Sequence, residues 1–130
     1  MLDTSAYTAF KLGDGFTLEV IQRADKILMP LVVYGELLAG FAAGSRTAQN
    51  RQELGAFLES PRVELVPVIA DTAERYAVIY AYLREQGRPI PTNDLWIAAA
   101  AMEQSALLLT ADGHFTQVPQ IMVKLLKRPA

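Results

Sequence analysis

Short apolar runs alternate with longer amphipathic segments along this chain, and few folds accommodate that order. Residues 27–29, 63–66 and 106–110 are runs rich in aliphatic side chains and too short for helices, so each predicts a buried strand. Two further short strands are predicted at residues 1–3 and 121–126. Strands that alternate with helices are typical of an α/β fold. We therefore predict a central, mostly parallel β-sheet flanked by helices on both faces.

Helix signals fill the intervals between these runs. The run Asp3-Thr4-Ser5 offers N-caps for a helix that starts near residue 5. Asp71 and Glu74 resemble an acidic capping box, and Thr92 or Asn93 is a candidate cap for a later helix. The other predicted helices cover residues 16–23, 31–42, 47–59, 71–86 and 94–103.

Composition excludes several classes of protein. The chain has no cysteine, which excludes disulfide scaffolds, cysteine-ligated zinc and cysteine nucleophiles. Its single histidine, His114, excludes a paired-histidine ribonuclease mechanism and a site with two or three histidine ligands from one chain. The longest apolar run, residues 95–102, is far shorter than the roughly 18 residues of a membrane span. No secretion signal precedes Asp3, so a single cytoplasmic domain over residues 1–130 is expected.

Three acidic residues fall where ligands bind in α/β folds, and a fourth, Glu36, lies inside a predicted helix. In parallel sheets, sites form outside the carboxyl ends of the strands. Asp3 and Asp112 follow predicted strands, Asp94 lies in the first turn of a helix, and Glu36 interrupts an apolar helical stretch. Carboxylates that converge at one sheet edge repel each other, and a divalent cation relieves that repulsion. Hard oxygen ligands favour Mg²⁺ or Mn²⁺ over zinc.

Each of these acids also has an ordinary structural explanation. Glu36 is able to flank the apolar stripe and point to water. Asp94 complements a helix dipole, Asp112 begins an Asp-Gly turn, and Asp3 is a suitable N-cap. Only their combination favours a functional site.

Four segments of the chain resemble the PIN-domain nucleases, and more closely the VapC-type toxins of bacterial toxin–antitoxin pairs. The resemblance spans nearly the whole chain in the family's order and spacing. The segments are Met1-Leu2-Asp3-Thr4-Ser5, Val33-Tyr34-Gly35-Glu36-Leu37, Pro91-Thr92-Asn93-Asp94-Leu95-Trp96-Ile97-Ala98-Ala99, and Leu108-Leu109-Thr110-Ala111-Asp112-Gly113-His114-Phe115.

This resemblance implies a PIN-like fold and Mg²⁺- or Mn²⁺-dependent endonucleolytic cleavage of RNA by activated water, with a 5′-phosphate product. The family's acidic quartet carries over onto Asp3, Glu36, Asp94 and Asp112. Asp3 and Asp94 are expected to be the principal metal ligands, while Glu36 and Asp112 complete the pocket, orient water or hold a second ion. The resemblance also implies a homodimer and an antitoxin whose C-terminal segment covers the acidic groove. Hydrogen-bond partners of the ligands are expected at Thr4, Ser5, Asn93 and Thr110.

Two features depart from the family pattern. Only two residues precede Asp3, where relatives often have a longer first strand. Some relatives carry a further acid just after the position of Asp112, where this chain has Gly113 and His114, so one bound ion is the expectation. For His114 itself, a capping or packing role is expected rather than that of a general base. Core packing is likewise expected for Trp96.

Other functions fit the sequence less well. A non-catalytic PIN-like interaction protein, which uses the acidic pocket to bind a basic partner peptide, is the main alternative. An aspartyl-phosphate enzyme is disfavoured because Asp3-Thr4-Ser5 lacks the second aspartate of the haloacid-dehalogenase-type motif. Packing in the core or in a dimer is expected for Tyr76 and Tyr80, which share a helix face, and base stacking is the less favoured role.

The net charge of −2 is unusual for a nucleic-acid binder. However, four of the 14 acidic residues belong to the predicted pocket, so ten acidic residues face 12 basic ones in the rest of the chain. The mild acidity is therefore compatible with an RNA substrate, and it predicts modest non-specific affinity.

Overall fold

The sheet of this protein is built from two parallel pairs of strands, seen in a computed structural model that describes residues 1–126. In one pair, β1 (Ile27–Pro30) lies beside β2 (Val63–Val66). In the other, β3 (Leu107–Thr110) lies beside β4 (Met122–Leu125). All four strands have four residues, and their short apolar sequences account for their prediction.

Residues 1–3 join the two pairs into one surface. The Leu2 N–H donates to the Leu28 carbonyl at 2.9 Å, and Asp3 N–H donates to the Leu109 carbonyl at 3.3 Å. Leu2 also forms a parallel bridge with Leu109. The spatial order is therefore β2, β1, residues 1–3, β3 and β4, which confirms the predicted parallel sheet. The predicted first strand contributes only this single bridge.

Six α-helices connect the strands in the described residues. They are α1 (Thr4–Lys11), α2 (Gly15–Arg23), α3 (Leu31–Ala43), α4 (Thr47–Glu59), α5 (Ala70–Glu85) and α6 (Thr92–Gln104). The start of α1 and both ends of the other five helices were predicted to within about two residues. In residues 1–126, no helix is both long enough and apolar enough to cross a bilayer.

The predicted caps of α5 and α6 are wrong. The helix α5 begins one residue before Asp71, and the Thr72 hydroxyl accepts the Ile69 N–H at 3.1 Å, so threonine closes this end rather than Asp71 and Glu74. The helix α6 begins directly after Pro91, which places Thr92 and Asn93 inside its first turn. An extended proline suits the position before a helix and needs no side-chain cap there.

Helices cover both faces of the sheet, as predicted. On one face, Leu109 packs in a buried cluster with Ile21 of α2. On the other face, the next side chain along β3, Leu108, packs in a cluster with Ile79 of α5 and with fully buried Phe115. Successive strand residues point to opposite faces, so β3 is buried on both sides.

The aromatic side chains of α5 and α6 lie at the margin of the core. Trp96 is half-buried and packs on Tyr76, with ring centroids 4.3 Å apart. Tyr76 stacks in turn on Tyr80, which is exposed. The core role expected for Trp96 therefore holds only in part, and Tyr80 is not a core residue.

Candidate active site

Asp3 is placed by both the sheet and the first helix. Its backbone N–H continues the ladder to β3, and its side chain caps α1 by accepting the Ala6 N–H at 2.9 Å. The residue is 5% exposed, and it lies at the carboxyl edge of the strands. The N-cap explanation for Asp3 is thus correct, and it coexists with a position in the acidic cleft described below.

Two hydroxyl groups hold the Asp3 carboxylate and also bring in the end of β3. Ser5 donates to Oδ1 at 2.6 Å, and Thr110 donates to Oδ2 at 2.5 Å. The same two hydroxyls accept backbone N–H groups, Ser5 from Ala111 and Thr110 from Asp112. These bonds fix the segment that carries Asp112 against the start of α1.

Glu36 reaches the same region from α3. Because α3 starts directly after β1, its second turn lies beyond the carboxyl end of that strand. Thr4 donates to Glu36 Oε1 at 2.9 Å, and the Asn93 amide donates to Oε2 at 3.4 Å. Glu36 is half-buried and faces these partners, so the alternative in which it only points to water is wrong.

Asp94 and Asp112 meet at a histidine. Asp94 lies in the first turn of α6, and Asp112 precedes a 3₁₀ helix over Gly113–Gln117, whose His114 N–H it accepts. The Nδ1 atom of His114 is 3.1 Å from Asp112 Oδ1 and 3.4 Å from Asp94 Oδ2. The side chain of His114 is therefore neither a cap nor a packing element, contrary to the expectation from sequence.

The four predicted acids share one cleft of about 290 Å³. They come from four separate segments of the chain, and the convergence of Asp3, Asp94 and Asp112 that was expected from the sheet topology is present. No lysine or arginine among residues 1–126 lines this cleft. Its lining residues are Asp3, Thr4, Ser5, Glu36, Asp94, Ile97 and Asp112.

The cleft disfavours negative charge in the absence of a counter-ion. Burial raises the pKa of Asp94 to about 6, with a further contribution from the neighbouring charge of Asp112, although His114 opposes the shift. Burial also raises the pKa of Asp3, against the lowering effect of the hydrogen bonds from Ser5, Thr110 and Ala6. Raised carboxyl pKa values of this kind are typical of functional sites.

The donor atoms fit a divalent cation. Asp94, Asp112 and His114 each offer a ligand atom, and these three atoms lie within 4.8 Å of one another. Carboxylate oxygens are the ligands that Mg²⁺ and Mn²⁺ prefer. Asp3 and Glu36 add carboxylates to the same cleft, with hydroxyl and amide partners that orient them.

His114 is the residue at this site that sequence reasoning missed. The signal for it was present, because His114 is two residues after Asp112 and the intervening glycine allows a tight turn. The 3₁₀ helix that begins at this turn directs the imidazole back toward Asp112 and Asp94.

Comparisons with known proteins agree with this fold. A family model for the PIN domain matches residues 1–121. Ribonuclease VapC5 of Mycobacterium tuberculosis is 32% identical over 115 residues, which are 88% of this chain and 84% of that protein.

Solved structures of similar chains have the same fold. The structure of VapBC2 from Rickettsia felis, bound to a DNA fragment from the promoter, includes a chain 28% identical to this one, with a TM-score of 0.83 and 96% of each chain covered. The structure of VapBC-1 from nontypeable Haemophilus influenzae includes a chain 26% identical, with a TM-score of 0.85 and again 96% coverage of each chain.

Proposed function

Because this chain belongs to the PIN-domain family, we propose that it is an endoribonuclease that acts in the cytoplasm as the toxin of a toxin–antitoxin pair. Residues 1–130 would form one PIN-like domain. Support comes from a relative named as a ribonuclease and from similar chains in VapBC structures. The observation that carries the proposal is the cleft itself, where Asp3, Glu36, Asp94 and Asp112 converge from four segments.

The proposed site uses Mg²⁺ or Mn²⁺. Asp3 and Asp94 would be the principal ligands, with Glu36 and Asp112 beside them as further ligands or water-orienting groups. When bound, such an ion supplies Lewis-acid chemistry that activates water and offsets negative charge on a phosphate. The hydroxyls of Ser5 and Thr110, which donate to Asp3, hold its carboxylate in place before substrate arrives. The Thr4 hydroxyl holds Glu36 in the same way.

The chemistry proposed for RNA is hydrolysis by an in-line displacement. Water attacks phosphorus, the bond to the 3′ oxygen breaks, and the products carry a 5′-phosphate and a 3′-hydroxyl. A carboxylate of the cleft that faces the attacking water accepts its proton, and the leaving oxygen takes a proton from solvent. No histidine pair is needed for this route.

A protein partner is the second part of the proposal. The cleft holds four carboxylates and, in the described part of the chain, no lysine or arginine lines it, so an arginine or lysine side chain from an antitoxin would be attracted into it. Such a side chain would neutralise the charge that holds a cation. We also propose that the toxin is a homodimer.

The alternative function uses the same charge without catalysis. A non-catalytic PIN-like protein would bind a basic partner peptide in the acidic cleft and would leave RNA intact. The raised pKa of Asp94 favours the enzyme. The grouping of ligand atoms from Asp94, Asp112 and His114 also favours it, because a site that only bound a basic peptide would not require a histidine nitrogen beside two carboxylates.

Expression of the chain in a bacterial host tests the proposal. Expression alone is expected to stop growth and to cleave cellular RNA, whereas co-expression with its antitoxin is expected to restore growth and to prevent the cleavage. Growth curves and gel analysis of total RNA measure the two effects. A folded, expressed protein that leaves growth and RNA unchanged, yet binds its antitoxin, would support the non-catalytic alternative instead.

A further inference from the structure

The position of His114 is the least expected feature of the cleft. Its imidazole is 51% exposed, yet Nδ1 lies within 3.4 Å of both Asp94 and Asp112. The backbone supports this position, because Asp112 accepts the His114 N–H and fixes the first turn of the 3₁₀ helix. The side chain is therefore presented to Asp94 and Asp112 by a turn that Asp112 helps to build.

The choice of donor atom affects which cation a site prefers. Mg²⁺ is a hard ion that binds carboxylates and water and has little affinity for imidazole nitrogen. Nitrogen donors strengthen binding along the series from Mn²⁺ toward the later transition metals. An imidazole beside carboxylates therefore favours a transition-metal ion over Mg²⁺, for which carboxylates and water are sufficient ligands.

We propose that His114 is a ligand of the divalent cation through Nδ1, together with Asp94 and Asp112, and that it makes the site selective for Mn²⁺ over Mg²⁺. This inference rests on the metal site of the proposed function and names its preferred ion. The neutral imidazole offers a lone pair at Nδ1 when its proton is on Nε2. Because half of the side chain is exposed, Nε2–H is able to remain hydrated in that state.

The competing role for His114 is that of a hydrogen-bond donor. With its proton on Nδ1, the imidazole would donate to Asp112 and orient that carboxylate without touching the ion. The two roles differ in one observable property, since only a ligand brings a nitrogen nucleus into direct contact with Mn²⁺.

Mn²⁺ binding to the wild-type protein and to His114→Ala decides between them. Alanine keeps the backbone N–H that Asp112 accepts, so the turn is retained. Pulsed electron paramagnetic resonance of the Mn²⁺-loaded wild type is expected to show nitrogen coupling from a directly bound imidazole, and His114→Ala is expected to lose it. Calorimetric titration is expected to show an affinity for Mn²⁺ that falls about 10- to 100-fold in His114→Ala, with Mg²⁺ affinity changed far less.

Two comparisons separate the possible outcomes. Gln117→Ala, on the same 3₁₀ helix but outside the cleft, is the matched control and should behave as wild type. Mn²⁺ binding that lacks nitrogen coupling, or an equal loss of affinity for both ions in His114→Ala, would overturn the role of His114 while leaving the proposed nuclease intact. Absence of any metal binding to the wild type would overturn this inference and the proposed metal site together.

Discussion

Substitution of Asp94 by asparagine is expected to abolish RNA cleavage, with a fall in rate of roughly 10²- to 10³-fold or more. Asparagine has nearly the same shape but cannot carry negative charge. Asp94 has three charged neighbours in the cleft, since Asp112, His114 and Glu36 all affect its pKa. Loss of its charge therefore removes a principal ligand and weakens the attraction for the cation.

The fold should survive this substitution. Asp94 is in the first turn of α6, where asparagine is tolerated, and no hydrogen bond of the cap depends on its side chain. Asp71→Asn is the matched control, because Asp71 is an exposed aspartate in the first turn of α5, away from the cleft. Cleavage of a defined RNA by both purified variants is the measurement. If folded Asp94→Asn cuts RNA as fast as Asp71→Asn, Asp94 has no role in catalysis.

The same substitution is expected to stabilise the protein without metal. The folded pKa of Asp94 is about 6, above the value of 3.8 for an unperturbed aspartate. The folded state therefore holds this proton more tightly than the unfolded chain does. The resulting contribution to stability is fully present below pH 3.8 and is lost as the pH rises through about 6. In a chelator, the free energy of unfolding of Asp94→Asn relative to that of wild type should therefore increase by about 2 kcal/mol as the pH rises from 4 to 7.

Urea denaturation across this pH range measures this stability difference. Added metal should reverse its sign at neutral pH, so that wild type becomes the more stable protein. At neutral pH, Mn²⁺ at about 100 times its dissociation constant would stabilise the wild type by about 2.7 kcal/mol, whereas Asp94→Asn would respond weakly. A difference between the two proteins that stays constant with pH in the chelator would contradict the raised pKa. A greater stabilisation of Asp94→Asn than of wild type by Mn²⁺ would contradict the assignment of Asp94 as a ligand.

Much of the fold was predictable because its strands and helices have clear local signals. The runs that became β1 and β3 are continuous aliphatic stretches between polar segments, which indicate strands buried on both faces. Their parallel order places Asp3 and Asp112 at one edge of the sheet, so convergence of the acids followed from topology. The chemistry was harder to predict, because each acid also fits a cap or a turn.

The error in the cap of α5 has a specific physical cause. The acidic cap predicted at Asp71 and Glu74 failed because Thr72 closes the helix end with its own hydroxyl, which also donates to Glu103 at 2.6 Å. That second contact links α5 to α6, and no pattern within a single segment shows it. Short motifs report only on neighbours along the chain, whereas the Thr72 hydroxyl that closes this helix end also contacts a residue 31 positions away.

The site residues also divide into those whose contacts were predictable from the sequence and one whose contact depends on the folded chain. The hydrogen bonds of Thr4, Ser5, Asn93 and Thr110 to the acidic residues match the positions expected from the family resemblance. The role of His114 was missed because its contact with Asp94 joins α6 to the 3₁₀ helix. The sequence places His114 next to Asp112, but only the folded chain brings Asp94 to the other side of the imidazole.

Analysis of the RNA ends produced by the purified protein tests the central claim most directly. In Mg²⁺ or Mn²⁺, hydrolysis at the carboxylate cleft predicts fragments with 5′-phosphate and 3′-hydroxyl ends, and no cleavage in excess chelator. Fragments that form equally well in chelator and carry 2′,3′-cyclic phosphate and 5′-hydroxyl ends would contradict the account, since they require attack by the ribose 2′-hydroxyl instead of activated water.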